Sequence, residues 1–440
     1  MGAKDTIKGL AFNAYLGPRG QWAREAVAEV RRRVQRAERT VDFYYDASDP
    51  HSHLLAQAVQ RLLPRYPVTW RFWLITPPAG DVDPQPVLRE ARARADAAEL
   101  ALLWDLDFSA TRAPDPAAVR KVNGVLTKVR PFADQIDAAV EVGAAMWAGD
   151  GKRLVAAIGR FATEGIGSIA PLMNDNYARL RERGHYQGAM IQLGAEWYWG
   201  IDRLGYLERR LQEELATGPR PSVLTARPAS ARPPERLTDG VDLADPPLEL
   251  FFSFRSPYSY LAIGRARALA DRLGVTLRLR PVAPMVERGV ALPEVKRLYI
   301  ARDAKREADR LGIPFGRLCD PLGTGVHQCL AITHRLATSP GAPGRDLAFA
   351  ESAARGIWSE ARNVADPAEL RVIVERAGLP FREVESAIGD DSWRSAAEAA
   401  AADLGALGLW GVPSFHFGRF ATWGQDRLDL VEDRLRRHCA

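Results

Sequence analysis

Leu248-Glu249-Leu250-Phe251-Phe252-Ser253-Phe254-Arg255-Ser256-Pro257-Tyr258-Ser259-Tyr260-Leu261-Ala262 reads as a buried strand running straight into a helix. The apolar run to Phe254 is short, aromatic-rich and strand-like. Pro257 suits a first helical position because it has no N–H to leave unpaired, which puts Ser256 at the N-cap. A helix N-terminus offers unpaired N–H groups and a positive dipole end, and so favours an anion such as a thiolate. Taken alone, Ser256 reads as a capping serine.

The same pattern occurs earlier in the chain. Phe43-Tyr44-Tyr45 through Pro50 and Ser52 matches Leu250-Phe251-Phe252 through Pro257 and Ser259 at an offset of 207. Near each end, Trp199-Gly200-Ile201-Asp202-Arg203-Leu204 matches Trp423-Gly424-Gln425-Asp426-Arg427-Leu428 at an offset of 224. Shared order with compatible spacing points to an internal duplication. In the first copy a strand is expected over 40–45, a helix over 51–63, a strand over 68–75 and mainly helix over 86–185. A short strand near 189–193 and a helix from about 201 to 216 close it. The second copy repeats this with a strand at 248–254, a helix to about Leu273, a strand over 275–281 and helices over 284–405. A strand at 414–417 and a final helix from about Gln425 follow. Strand, helix, strand, helical insertion, hairpin and final helix is a thioredoxin-type order. The expected fold class is therefore α/β, with two tandem thioredoxin-like domains, each carrying an inserted helical subdomain.

Outward from the repeats, residues 1–39 form an N-terminal extension with an amphipathic helix bearing Trp22, Ala26, Val30 and Val34 at helical spacing. Residues 40–216 are the first domain. Residues 217–247, rich in proline, form an extended linker. Residues 248–440 are the second domain. The chain's 440 residues, 47% apolar and 26% charged, suit a two-domain globular protein. A net charge of +5 is small and dispersed; Arg31-Arg32-Arg33 reads as a solvated helix face, and no nucleic-acid partner is expected. The three cysteines, Cys319, Cys329 and Cys439, form no CxxC pair, so Cys319 and Cys329 read as small core residues and a reducing compartment fits. With no signal-peptide pattern and no apolar span, the expectation is a cytoplasmic protein without a membrane partner. The sequence allows a homodimer.

Further motifs accompany Ser256. Gly411-Val412-Pro413-Ser414-Phe415 precedes a strand, and its proline suggests a cis peptide in a tight turn. Asp426 follows as a first-turn acid, and Asp366-Pro367-Ala368-Glu369 reads as a capping box. With Arg280-Pro281-Val282, Lys296, Tyr299, Asp303, Leu311-Gly312-Ile313-Pro314, Trp358, Glu360, Arg362 and Asp366-Pro367 in order, residues 248–437 resemble the 2-hydroxychromene-2-carboxylate isomerases. These are relatives of kappa-class glutathione transferases and DsbA-type oxidoreductases.

The resemblance implies glutathione as cofactor and an aromatic or unsaturated carboxylate as small-molecule substrate. Ser256 would be catalytic, hydrogen-bonding the glutathione sulfur. Val412, before Pro413, would pair through its backbone with the glutathione cysteine. Gln425 and Asp426 would hold the γ-glutamyl end, and Lys296 would meet a carboxylate. The family's asparagine in the loop before the lysine is missing, since residues 284–295 contain none. Other readings are a thiol–disulfide oxidoreductase, which the missing CxxC opposes, and a non-catalytic binding or scaffold protein.

In the first copy, Asp49 replaces Ser256, Ala189 replaces Pro413 and Ile201 replaces Gln425. A carboxylate at Asp49 would repel a thiolate. His51 and His53 follow Asp49-Pro50, but positions two apart on a helix do not share a face, so no metal site is expected.

Overall fold

The computed structural model describes residues 12–128, 130–161, 169–225 and 246–439. The chain divides into two compact units. One is Trp22–Arg232; the other combines Met1–Gln21 with Pro233–Ala440. The first eleven residues, and residues 226–245 of the expected linker, lie outside the described part.

In the first unit the elements run α1 (Pro18–Val34, which begins in the other unit), β1 (Val41–Tyr45), α2 (Pro50–Leu62) and β2 (Trp70–Leu74). Five helices follow: α3 (Pro86–Trp104), α4 (Pro116–Leu126), α5 (Phe132–Trp147), α6 (Gly151–Arg160) and α7 (Ile169–Glu182). The hairpin β3 (Met190–Leu193) and β4 (Glu196–Trp199), a 3-10 turn and α8 (Leu204–Glu214) complete it. The second unit repeats the plan: β5 (Leu248–Phe252), α9 (Pro257–Leu273) and β6 (Leu277–Pro281). Then come α10 (Glu294–Leu311), α11 (Thr324–Thr338), α12 (Arg345–Ser359), α13 (Pro367–Arg376) and α14 (Trp393–Ala406). The hairpin β7 (Ser414–Phe417) and β8 (Phe420–Trp423), a 3-10 turn and α15 (Leu428–Cys439) end it.

Each unit holds one four-stranded sheet, ordered β2-β1-β3-β4 and β6-β5-β7-β8. The first two strands pair in parallel and the rest antiparallel. The registers repeat as well as the order: Val41 faces Trp70 and Leu248 faces Leu277, both displaced by 207. The hairpins Met190–Trp199 and Ser414–Trp423 are displaced by 224. Each central strand is buried on both faces, as VDFYY and LELFF imply by their lack of polar alternation. Both first helices start alike. Asp49 caps α2 before Pro50, and Ser256 caps α9 before Pro257. The α/β thioredoxin-type order expected from the sequence is the order found.

Two local expectations change. The apolar stripe of α1 faces solvent, with Trp22 73% and Val34 78% exposed. Ion pairs hold this helix by its polar edge, as Arg210 forks onto Glu25 at 2.8 and 2.9 Å. The capping box at Asp366 closes only halfway. Asp366 accepts from Ala368 N at 2.9 Å, but Glu369 accepts from Arg362 at 2.6 Å instead of reaching back. Among the described residues, no helix is long and apolar enough to cross a membrane.

Candidate active site

The C-terminal end of β5 delivers the chain to Ser256, whose extended backbone (φ −104°, ψ 115°) is that of an N-cap. Its Oγ accepts from Ser259 N–H at 3.1 Å, using one of the unpaired donors of the first turn. The hydroxyl proton goes to the Val412 carbonyl at 3.1 Å. One side chain thus joins the helix N-terminus to the turn that opens β7. The Val412–Pro413 peptide is cis, as the sequence suggested. Ser256 and Val412 are both half-buried, so a ligand can reach them, while Pro413 is buried. The Val412 N–H has no hydrogen-bond partner among the described residues.

The turn is held from behind. Gly424 N donates to Pro413 O at 3.0 Å, which places Asp426 directly after the β7–β8 hairpin. Gly424 has φ +124°, and a Cβ there would crowd the Asp426 carboxylate, so the backbone needs glycine. At Gly411 a Cβ would run into the Trp423 ring, and the Trp410 and Trp423 rings meet edge-on at 4.9 Å. Asp426 keeps partial exposure and lies 3.5 Å from Arg427.

Two other predicted residues sit differently. Gln425 is 1% exposed and turned inward. Its Oε1 accepts from Arg265 at 2.7 Å and its Nε2 donates to Glu307 at 2.8 Å. The expectation that this side chain holds a ligand is corrected: both ends of the amide serve a buried brace among α9, α10 and the last turn. Lys296 is half-buried near the start of α10. Tyr258, just past the cap of α9, donates to Asp303 on α10 at 2.7 Å and docks α10 beside the helix start. Lys296 lies two helical turns before Asp303 on the same helix.

Sequence reasoning missed the polar clasp across the sheet. Glu249 on β5 pairs with His416 on β7 at 2.8 Å and with Arg280 on β6 at 2.6 Å. The His416 hydrogen bond, then Arg280, holds the Glu249 carboxyl down to about 2. The late motif is also structural. Trp358 Nε1 donates to Phe254 O at 3.1 Å, while Glu360 gathers Arg355, Arg362 and Arg376. Among the described residues, Cys319 and Cys329 are free thiols. Cys329 is buried and its thiol pushed far up by desolvation, whereas Cys319 is only half-buried, against the expectation of two core residues.

The first unit shows the same position with other chemistry. Asp49 caps α2, accepting from His51 N at 3.1 Å and from the Ser52 hydroxyl at 3.0 Å. Ser52 Oγ accepts from Ala189 N at 2.8 Å, a bond impossible at Pro413. Asp46 is fully buried, and desolvation together with the nearby Asp49 charge pushes its carboxyl up to about 7. His51 lies 3.6 Å from Asp96, while His53 packs on Gln57 and burial holds its imidazole down to about 4. Among the described residues, no group of three or more His, Cys, Asp or Glu could hold a metal ion.

Residues 247–436 match the family model of the DSBA-like thioredoxin domain. A 2-hydroxychromene-2-carboxylate isomerase from Sphingobium xenophagum is 28% identical over 205 residues, covering 43% of this chain and 97% of that protein. Among solved structures, a 2-hydroxychromene-2-carboxylate isomerase shares 24% identity over 44% of this chain and 95% of its own, with a TM-score of 0.37. The cytosolic disulfide reductase DsbM from Pseudomonas aeruginosa shares 18% identity over 43% of this chain and 98% of its own, with a TM-score of 0.34. The C-terminal half of the chain thus matches the DSBA-like thioredoxin domain and is similar in sequence to a 2-hydroxychromene-2-carboxylate isomerase.

Proposed function

We propose that the second unit binds glutathione at Ser256 and acts as a glutathione-dependent isomerase or transferase on an aromatic or unsaturated carboxylate. The observation that carries this reading is the Ser256 hydroxyl, half-exposed at the start of α9 and bonded to the carbonyl before Pro413. The donor set suits the tripeptide. A hydroxyl and a helix N-terminus favour a thiolate, the Val412 amide suits a peptide backbone, and the Asp426 carboxylate suits an α-ammonium group. When bound, glutathione supplies a thiol nucleophile that adds reversibly to the substrate, leaving a bond free to rotate before elimination.

The protein's part is orientation and charge stabilisation. Ser256 would turn its proton from the Val412 carbonyl towards the sulfur, while Ser259 N–H keeps the oxygen in place. Val412 would hold the peptide edge, Asp426 the amino end, and Lys296 a carboxylate. Because the nucleophile belongs to the cofactor, the buried Cys329 has no part to play. The cytoplasm, where glutathione is abundant and reduced, is the proposed location.

Calorimetric titration of the full chain with glutathione tests the reading. Wild type should bind in the micromolar to millimolar range. Ser256→Ala should bind with the thiol pKa of the ligand raised, and Asp426→Asn should bind more weakly. Absence of binding by wild type at millimolar glutathione would refute the proposal. The 2-hydroxychromene-2-carboxylate isomerisation assay, with and without glutathione, then separates an isomerase from a transferase.

A further inference from the structure

Arg288 lies in the irregular loop between β6 and α10, half-buried. Its Nε donates to Ala283 O at 3.0 Å and its Nη2 to Trp410 O at 2.9 Å. Both acceptors belong to the site's surroundings. Ala283 follows Val282, whose N–H bonds Phe252 O at 2.8 Å where β5 ends, and Trp410 stands two residues before Val412. These two bonds draw the loop onto the same edge of the sheet as Ser256 and the cis turn.

The charge on Arg288 has no acidic counterpart. Among the described residues no Asp or Glu lies within ion-pair distance of it. The adjacent acid in sequence, Glu287, is engaged elsewhere, with His327 at 3.1 Å. Burial alone perturbs its guanidinium, lowering the pKa with no anion to offset it. The group stays charged regardless, because an arginine does not lose its proton in a protein. A guanidinium has five N–H donors, and the two carbonyls take two of them. The remaining Nη1 and Nη2 donors form a planar fork that matches a carboxylate. A desolvated cation of this kind is stabilised by an incoming anion more than an exposed lysine would be.

The geometry points to Arg288 as a carboxylate-recognition residue of this site, taking a ligand carboxylate on its free Nη edge while its other edge clamps the loop to Trp410. This rests on the glutathione reading above, which offers two sources of the same chemistry: the glycyl carboxylate of glutathione and the carboxylate of the substrate.

The test compares wild type, Arg288→Met and Arg288→Lys as full chains, each checked for an unchanged thermal transition of the second unit. Glutathione and its glycyl monoethyl ester are titrated by calorimetry, and KM for 2-hydroxychromene-2-carboxylate is measured at saturating glutathione. A charge-assisted fork predicts a loss of about 10- to 100-fold in Arg288→Met. Arg288→Lys, with charge but no fork, should lose about 10-fold, and it carries the test if the methionine variant fails to fold. If wild type prefers glutathione to the ester and the variants do not, the carboxylate is that of glutathione. If that preference is unchanged and KM rises with kcat retained, it is the substrate's. Glutathione binding with both the preference and KM unaltered overturns the role of Arg288 alone. No glutathione binding by wild type overturns the functional reading, and Arg288's role with it.

Discussion

The Ser256 hydroxyl oxygen lies 3.1 Å from the carbonyl oxygen of Val412, a residue 156 positions further along the chain. The bond joins the start of a helix to the start of a strand. It also commits the only proton of that hydroxyl, so an anionic ligand must compete with a neutral carbonyl. Charge-assisted hydrogen bonds are roughly twice as strong as neutral ones, so a thiolate wins that competition where a thiol does not.

Ser256 has two separable duties, capping α9 and facing the ligand. Ser256→Ala removes the cap and should destabilise the second unit by about 1 kcal/mol. Ser256→Asp should restore that stability, since aspartate caps as well as serine and Asp49 does so in the first unit. The same variant should abolish glutathione binding by repelling the thiolate. Thermal unfolding together with glutathione titration checks this; an aspartate variant that is stable and still binds would contradict the assigned role.

Gln425 should behave as a brace. Gln425→Leu leaves the half-buried Arg265 and the buried Glu307 without their side-chain amide partner. A loss of about 2–4 kcal/mol in urea unfolding of the second unit is expected. Unchanged stability together with weakened glutathione binding would return Gln425 to the role of ligand contact.

Acid should loosen the second sheet through Glu249. Its carboxyl titrates near 2 when folded, below the ordinary 4.5. A depressed carboxylate contributes stability that is fully present above the unfolded pKa and is lost as pH falls through the folded one. Stability should therefore decline between about pH 4.5 and pH 2. Glu249→Gln should be less stable at pH 7 and show a shallower decline; parallel wild-type and variant curves would rule this out.

Asp46 acts in the opposite sense. Its folded carboxyl titrates near 7, above the ordinary 3.8, so the folded state holds the proton more tightly. Stability of the first unit should fall as pH rises from about 4 to 7, then level. Asp46→Asn should remove that dependence and add roughly 1–3 kcal/mol at pH 8. Amide exchange along β1 reads the difference, and an equal benefit at pH 4 would count against burial of the charge as its cause.

The repeat was legible because Tyr44, Tyr45 and Pro50 return as Phe251, Phe252 and Pro257, and the backbone register follows the same offsets. The cap at Ser256 and the cis peptide before Pro413 were legible for another reason: each is fixed by its own local turn. Gln425 was not, because Arg265 and Glu307, 160 and 118 positions away, decide which way it points. Nor was the clasp of Glu249, Arg280 and His416, whose members look like ordinary strand residues until three strands align. Trp22 misled in the other direction: helical spacing describes a stripe, not what covers it.

The Ala189 N–H that reaches Ser52 in the first unit has no counterpart at Pro413. The helix start is therefore tied to the turn in both copies, but by different bonds: Ser52 takes a backbone N–H in the first, and Ser256 gives its proton to a backbone carbonyl in the second. A backbone N–H cannot be redirected, whereas a hydroxyl proton can swing from a carbonyl to an anion, so only the second copy's tie can be lent to a ligand.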